Sequence, residues 1–129
     1  MSESNATSER LWAVRGAVQD ERNEASAILA ATTELMGELL DRNGLEPARL
    51  VSCLFTCTED LDAEFPAKAA RELGLDAVPL LCAREIDVSG AMPRVIRVLV
   101  HYYAGHDHEP SHIYLGEARS LRSDLHAAQ

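Results

Sequence analysis

Hydrophobic and polar positions along the chain fall into seven blocks of alternating type. Leu11-Trp12-Ala13-Val14-Arg15-Gly16-Ala17 is a short, mostly apolar run closed near a glycine and predicts a first strand. The spacing then changes. Ile28, Leu29, Thr32, Leu35, Met36, Leu39 and Leu40 recur every three or four positions and predict a helix over about 24–42. Asp20 and Asn23 offer N-cap chemistry before it, and Asn43-Gly44 is a stop signal after it. Leu50-Val51-Ser52-Cys53-Leu54-Phe55-Thr56 predicts a second strand, followed by a polar, Asp-rich loop from Thr58 to Asp62. Pro66 suits the first turn of a short helix over 67–73, closed by Gly74. Ala77 to Cys82 reads as a third strand whose Pro79 marks an edge or an end. Val95-Ile96-Arg97-Val98-Leu99-Val100 lies in a fourth strand, about 94–103, and so continuous a β-prone run reads as covered on both faces. His112-Ile113-Tyr114-Leu115 predicts a last short strand, with one helical turn over 117–121.

The order β-α-β-α-β-β-β predicts an α+β fold: a single mixed β-sheet with one long and one short helix packed on it. Two helices leave one sheet face poorly covered, so burial against further copies of the chain is expected.

Length and composition narrow this. At 129 residues the chain is one domain with room for a core. The polar residues 1–10 read as a disordered lead, 11–125 as the folded domain and 126–129 as a frayed tail. No apolar stretch approaches a membrane span, and the first residues lack the order of a signal peptide. Three cysteines fit a reducing, cytoplasmic setting better than a disulfide framework. A formal charge of -9 argues against nucleic acid or anionic membrane as partners.

Against that background Arg97 is the most informative residue. A guanidinium in an apolar strand cannot shed its proton, so it is paired or faces a cleft. One reading is a strand arginine whose stem packs while its head reaches water. The other is a site for an anion, or for negative charge that develops during a reaction, with Glu85 as a carboxylate brought near by a short connection. Lys68 and Arg71, three apart on one helix face, form either a solvated stripe or an anion contact. Cys82 has no base beside it in sequence and fits a buried strand position better than a nucleophile. Cys53, Cys57 and the histidines at 101, 106, 108 and 112 match no metal-ligand spacing. No phosphate loop, G-x-S-x-G elbow or H-E-x-x-H stretch is present.

With these residues in view, the chain resembles the small monofunctional chorismate mutases of the Bacillus type, from about Val14 to Leu125. The resemblance is carried by Val14-Arg15-Gly16-Ala17; by Asp60-Leu61-x-Ala63-x-Phe65-Pro66-Ala67-Lys68-Ala69-x-Arg71-Glu72-Leu73; by Val78-Pro79-x-x-Cys82-x-x-Glu85-Ile86-Asp87-Val88; by Ile96-Arg97-Val98; and by His112-Ile113-Tyr114-Leu115 with Leu121-Arg122-x-Asp124-Leu125. It implies a homotrimer forming a pseudo-α/β barrel, with active sites at the subunit interfaces. It also implies the cofactor-free and metal-free Claisen rearrangement of chorismate to prephenate, for phenylalanine and tyrosine biosynthesis. By the same resemblance, Arg97 and Glu85 are the catalytic pair. Arg97 faces the ether oxygen and Glu85 accepts from the ring hydroxyl. Arg15 and Tyr114 hold the side-chain carboxylate, and Cys82 and Leu81 line the pocket. Phe65, Ala67, Lys68 and Arg71 form a wall from the neighbouring subunit. Leu121 and Arg122 belong to a C-terminal region that helps close the site. Leu81 departs from the threonine often found there in the family. The competing expectation is a non-catalytic trimer that binds small anions or metabolites in the same clefts.

Overall fold

The computed structural model describes residues 8–122. Five strands and two helices follow the predicted order. They are β1 (Glu9–Gln19), α1 (Ala25–Arg42), β2 (Leu50–Cys57), α2 (Pro66–Ala70), β3 (Leu80–Arg84), β4 (Val95–Gly105) and β5 (Ile113–Leu115). The strands form one mixed sheet in the order β3-β2-β4-β1-β5. β4 runs antiparallel to both β1 and β2, while β3 pairs parallel with β2 and β5 parallel with β1.

The two longest strands therefore hold the centre, and alternation divides their residues between two faces. Val14 and Val18 of β1, Cys53, Phe55 and Cys57 of β2, and Ile96, Val98, Val100 and Tyr102 of β4 are buried on one face. Ile28, Leu35, Met36 and Leu39 of α1 complete that core. Gly16 belongs to the same face and its missing side chain is what lets α1 approach. A Cβ there would stand 3.0 Å from Leu35 Cδ1, 3.1 Å from the Ile113 carbonyl oxygen and 3.3 Å from Val98 Cγ1.

The other face is open. Arg15, Leu54, Thr56, Arg97 and Leu99 are only part-buried there, and Leu11 and Tyr103 are 45% and 47% exposed. The expectation that the Arg97 strand is covered on both faces is therefore corrected: among the described residues the helix side is covered along its length, while the Arg97 side is covered only at one end. At one end a small second cluster of Ala17, Val95, Tyr114 and Ala118 folds over this face, with Met92 and Leu121 packed against it.

Boundaries differ from the sequence reading where long-range pairing overrides local pattern. β1 starts at Glu9 rather than Leu11, because Glu9 and Arg10 still find partners in Gly105 and Ala104 of β4. The Glu9 carboxylate also pairs with Arg49. β3 runs from Leu80 to Arg84 rather than Ala77 to Cys82. Pro79 lies just before it and contributes only its carbonyl, which accepts from Cys53 N–H at 3.0 Å. β3 is an edge strand, as Pro79 suggested. α2 ends at Ala70 and widens into a turn over Arg71–Leu75, where Gly74 takes a φ of 93°. Residues 1–7 of the predicted lead, the last three residues of the predicted domain (123–125) and the predicted tail, 126–129, lie outside the described residues.

The predicted N-cap is also corrected. No side chain caps α1. Asn23 instead accepts from Asp62 N–H and Ala63 N–H, each at 3.0 Å, and donates to the Asp62 carboxylate at 2.7 Å, tying the start of the helix to the loop after β2. Asp20 sits at the end of β1, 4% exposed, with Oδ1 accepting from Glu21 N–H. Burial raises its pKa above 3.8 despite the backbone donors of Glu21 and Arg22 and the charges of Arg22 and Arg94. Asn43 does terminate α1, and its amide also bridges to the Ser111 backbone through both donor and acceptor, which anchors the approach to β5.

Candidate active site

Arg97 is the third residue of β4 and lies on the open face. Its neighbours in the ladder are fixed by register: Thr56 of β2 on one side and Ala17 of β1 on the other, with Tyr114 of β5 opposite Ala17. Ala17 leaves room between the guanidinium and the tyrosine ring. The start of β4 is held unusually firmly. Arg94 takes a φ of 53°, a left-handed conformation that costs about 1–2 kcal/mol for a residue with a side chain. Both oxygens of Asp60 accept from Arg94 N–H, at 3.1 and 3.0 Å, and Arg94 Nε donates to the Asp20 carbonyl at 2.9 Å. Thr58 Oγ1 accepts from Val95 N–H at 3.0 Å. The Asp-rich loop after β2 is thus a clasp that sets where Arg97 begins its reach.

Glu85 follows β3 directly. Its N–H donates to the Cys57 carbonyl at 2.9 Å, extending the parallel pairing by one bond. This brings the carboxylate back across β2, where Oε2 lies 2.8 Å from Arg97 Nε and accepts from Thr56 Oγ1 at 2.6 Å. The Arg97 N–H does not point along the contact, so the pair is electrostatic rather than a directed hydrogen bond. The side chains are 39% and 18% exposed, a setting in which an ion pair adds at most about 1 kcal/mol to stability. Its value lies in holding two charged heads at a cleft.

Arg97 borders two clefts of opposite character. One, about 350 Å³, is lined by Arg15, Leu54, Thr56, Leu99 and Tyr114, and is cationic with apolar walls. The other, about 410 Å³, is lined by Glu85 and by the loop from Ile86 to Pro93, with Glu59, Asp60 and Asp87 on its rim. A hydrogen bond with Asp87, reinforced by that residue's charge, raises the Glu59 pKa. A bound anion has a favourable seat on the Arg15 side, and a hydroxyl donor has an acceptor on the Glu85 side.

The remaining predicted residues are placed less centrally. Cys82 and Phe65 line a third cleft of about 420 Å³ with Leu61, Pro66 and Arg84. Cys82 pairs with Phe55 and so shares the helix-side face, whereas Ala83 is opposite Thr56. Ala67 is buried in the main core. Lys68 pairs with Glu64 at 3.4 Å, and Arg71 is exposed where α2 widens. Leu81 and Phe65 are 60% and 66% exposed. Leu121 packs under the Tyr114 cluster, and Arg122 is the exposed last described residue. Within a single chain, then, Arg15, Glu85, Arg97 and Tyr114 gather round one point, while Phe65, Ala67, Lys68, Arg71, Leu81 and Cys82 do not join them.

Sequence reasoning missed two contributors. Thr56 is a strand residue whose role appears only once register sets it opposite Arg97. His112 accepts from Arg15 N–H through Nδ1 at 3.0 Å, which fixes Arg15 relative to β5. Burial, followed by the charges of Arg15 and Arg122, lowers its pKa below 6.5. The other histidines of interest are separate. His101 meets Ser52 at 3.2 Å, and His108 meets the Tyr102 hydroxyl at 2.7 Å beside the Trp12 ring. Burial pushes the Cys53 and Cys57 thiols up to about 11 and about 12, the latter also raised by Cys82 and the nearby carboxylates.

A central strand with a cation on its open face, a carboxylate acceptor on one side and Arg15 and Tyr114 on the other defines a small α+β domain with a cationic cleft beside an acceptor. The comparisons place it more narrowly. The family model described as Chorismate mutase type I matches residues 11–125. A relative described as Chorismate mutase AroH, from Thermus thermophilus, is 46% identical over 118 residues, covering 90% of this chain and 97% of its own. The protein of the same description from Bacillus subtilis (strain 168) is 38% identical over 114 residues, covering 87% and 90%. A solved structure described as chorismate mutase from Clostridium thermocellum superposes with a TM-score of 0.81 at 42% identity, covering 85% of this chain and 99% of that one. The chain belongs to the type I chorismate mutase family.

Proposed function

We propose that the protein, as a chorismate mutase of this family, rearranges chorismate to prephenate in the clefts around Arg97. The observation that carries the site assignment is the split environment of that guanidinium: Arg15 and Tyr114 on one side, Glu85 at 2.8 Å on the other. The substrate is a dianion with an enol-ether oxygen and a ring hydroxyl. Its carboxylates suit the cationic side and its hydroxyl suits Glu85. As the C–O bond breaks, negative charge grows on the ether oxygen, and a guanidinium already held there stabilises the transition state more than the ground state. Holding both ends also selects the compact conformer in which the reacting carbons meet. Bond breaking and bond making occur within one molecule, so the step needs no nucleophile from the chain.

The open sheet face supports a homotrimer forming a pseudo-α/β barrel. Leu11, Phe65, Leu81 and Tyr103 are exposed apolar groups suited to burial between copies. In that assembly Phe65, Ala67, Lys68 and Arg71 of one subunit form a wall of the next subunit's site, with Cys82, Leu81, Leu121 and Arg122 lining or closing it.

The test is the ultraviolet loss of chorismate with purified protein and chelator, beside Arg97→Ala and Arg97→Lys. Wild-type turnover is expected. A fall of about 10²–10³ or more is expected for Arg97→Ala, with incomplete recovery in Arg97→Lys because a point charge lacks the planar fork. Turnover by Arg97→Ala at the wild-type rate would refute the site. Anion binding without turnover by the wild type would favour the non-catalytic module.

A further inference from the structure

Glu85 is aimed by a contact that neither the motifs nor the clefts single out. Thr56 and Arg97 stand directly opposite each other in the β2–β4 ladder, on the same open face. Glu85 joins them from the end of β3, and both contacts fall on one of its oxygens: Thr56 Oγ1 at 2.6 Å and Arg97 Nε at 2.8 Å, each to Oε2. A carboxylate is an acceptor only, so the threonine hydroxyl is the donor. Because the Arg97 Nε–H points off the contact, Thr56 provides, among the described residues, the directed hydrogen bond that fixes the Glu85 rotamer. With Oε2 so engaged, no hydrogen bond from the described residues claims Oε1, which is the oxygen left for a ligand hydroxyl.

We propose that Thr56 is a positioning residue: its hydroxyl orients Glu85 so that one carboxylate oxygen is held by the strand and the other is presented to the substrate hydroxyl. The inference rests on the chorismate mutase reading of this site. Thr56 lies in the wall of the cationic cleft, but its hydroxyl is committed to Glu85 and acts through it. The geometry explains why a β-branched hydroxyl residue suits the position. Its branching favours the strand, and a short side chain from the adjacent strand reaches Oε2 without crossing the guanidinium.

Three variants test this by chorismate turnover. Thr56→Val keeps shape and strand preference and removes the hydroxyl, and kcat/KM should fall about ten- to a hundredfold, the usual effect of losing a hydrogen bond to a charged group. Thr56→Ser should recover most of that loss. In a Glu85→Ala background Thr56→Val should change kcat/KM less than about twofold, since an effect routed through Glu85 has nothing left to act on. Thermal melting shows whether Thr56→Val folds, and the Glu85→Ala pair isolates the coupling from any change in stability. An active wild type whose Thr56→Val variant is unimpaired overturns the positioning role. So does a loss of equal size in the Glu85→Ala background, or a serine variant as poor as valine. An inactive wild type overturns the mutase reading itself, and the positioning role with it.

Discussion

Replacing Glu85 by glutamine separates charge from shape at the site. Glutamine keeps the length of the side chain but carries one acceptor oxygen where the carboxylate has two. In the structure one oxygen already receives the Thr56 hydroxyl at 2.6 Å and lies 2.8 Å from Arg97 Nε. The amide oxygen of Glu85→Gln therefore goes to Thr56, and the amide N–H₂ turns toward the ligand. A ring hydroxyl that donated to a carboxylate then meets a donor. Losing a hydrogen bond to a charged group corresponds to about 1.5–3 kcal/mol, or roughly ten- to a hundredfold in kcat/KM. The lost ion pair, with heads 18% and 39% exposed, contributes at most about 1 kcal/mol to folding, so the melting temperature should move by only a few degrees. Steady-state turnover of chorismate beside a thermal melt checks both numbers. Glu85→Asp, one methylene shorter, should fail to span Thr56 and the cleft together and lose activity as well. A glutamine variant with the wild-type kcat/KM would show that no acceptor is needed there, and the division of labour between the two carboxylate oxygens would be wrong.

Other consequences are open to simple measurement. Gly16→Ala should destabilise by about 1–3 kcal/mol, since its Cβ meets a backbone oxygen of β5 at 3.1 Å as well as Leu35 and Val98; an unchanged melting temperature would contradict the close approach of α1. His112 is held neutral below its ordinary 6.5, so the stability it contributes is complete above that pH and is lost as pH falls through the lower folded value. Denaturation midpoints should decline across that window in the wild type and decline less in His112→Asn, which can accept from Arg15 without titrating; parallel curves would remove His112 from the account. Of the three thiols, the part-exposed Cys82 should react first with a thiol reagent at pH 8, while Cys53 and Cys57, buried and pushed up to about 11 and about 12, should wait for denaturant. Rapid labelling of all three in native protein would contradict that burial.

Much of the architecture was legible because the strong signals are local. The apolar spacing of Ile28, Thr32, Leu35, Met36 and Leu39 marks α1 to within a residue of its start, and Pro66 marks the first turn of α2. What local pattern could not give is partnership. Glu9 and Arg10 look like a polar lead and join β1 because β4 extends to meet them. Asn23 has the composition of a helix cap, yet its amide is drawn to the loop at Asp62 and Ala63. Arg97 stands out as a charge in an apolar run, and Glu85 is a carboxylate close to it in sequence, but the distance between them depends on β3 and β4 both flanking β2. Thr56 carries no signal in the sequence at all. An ordinary strand threonine becomes informative only when register sets it opposite Arg97.

The strand order also governs when the site can exist during synthesis. β1 ends at Gln19, and its principal partner does not begin until Val95; β2, completed at Cys57, waits for the same strand. At about 5–20 residues per second, several seconds pass in which α1 has no finished sheet to cover and two apolar strands have open edges. Contacts so distant in sequence also slow folding once the chain is released. The emergence of β4 closes both gaps at once and delivers Arg97 in the same event. A ribosome-bound chain arrested before Val95 should be protease-sensitive throughout, and one extended well beyond Leu115 should not, so the polypeptide acquires its sheet and the Arg97–Glu85 pair at a single late moment.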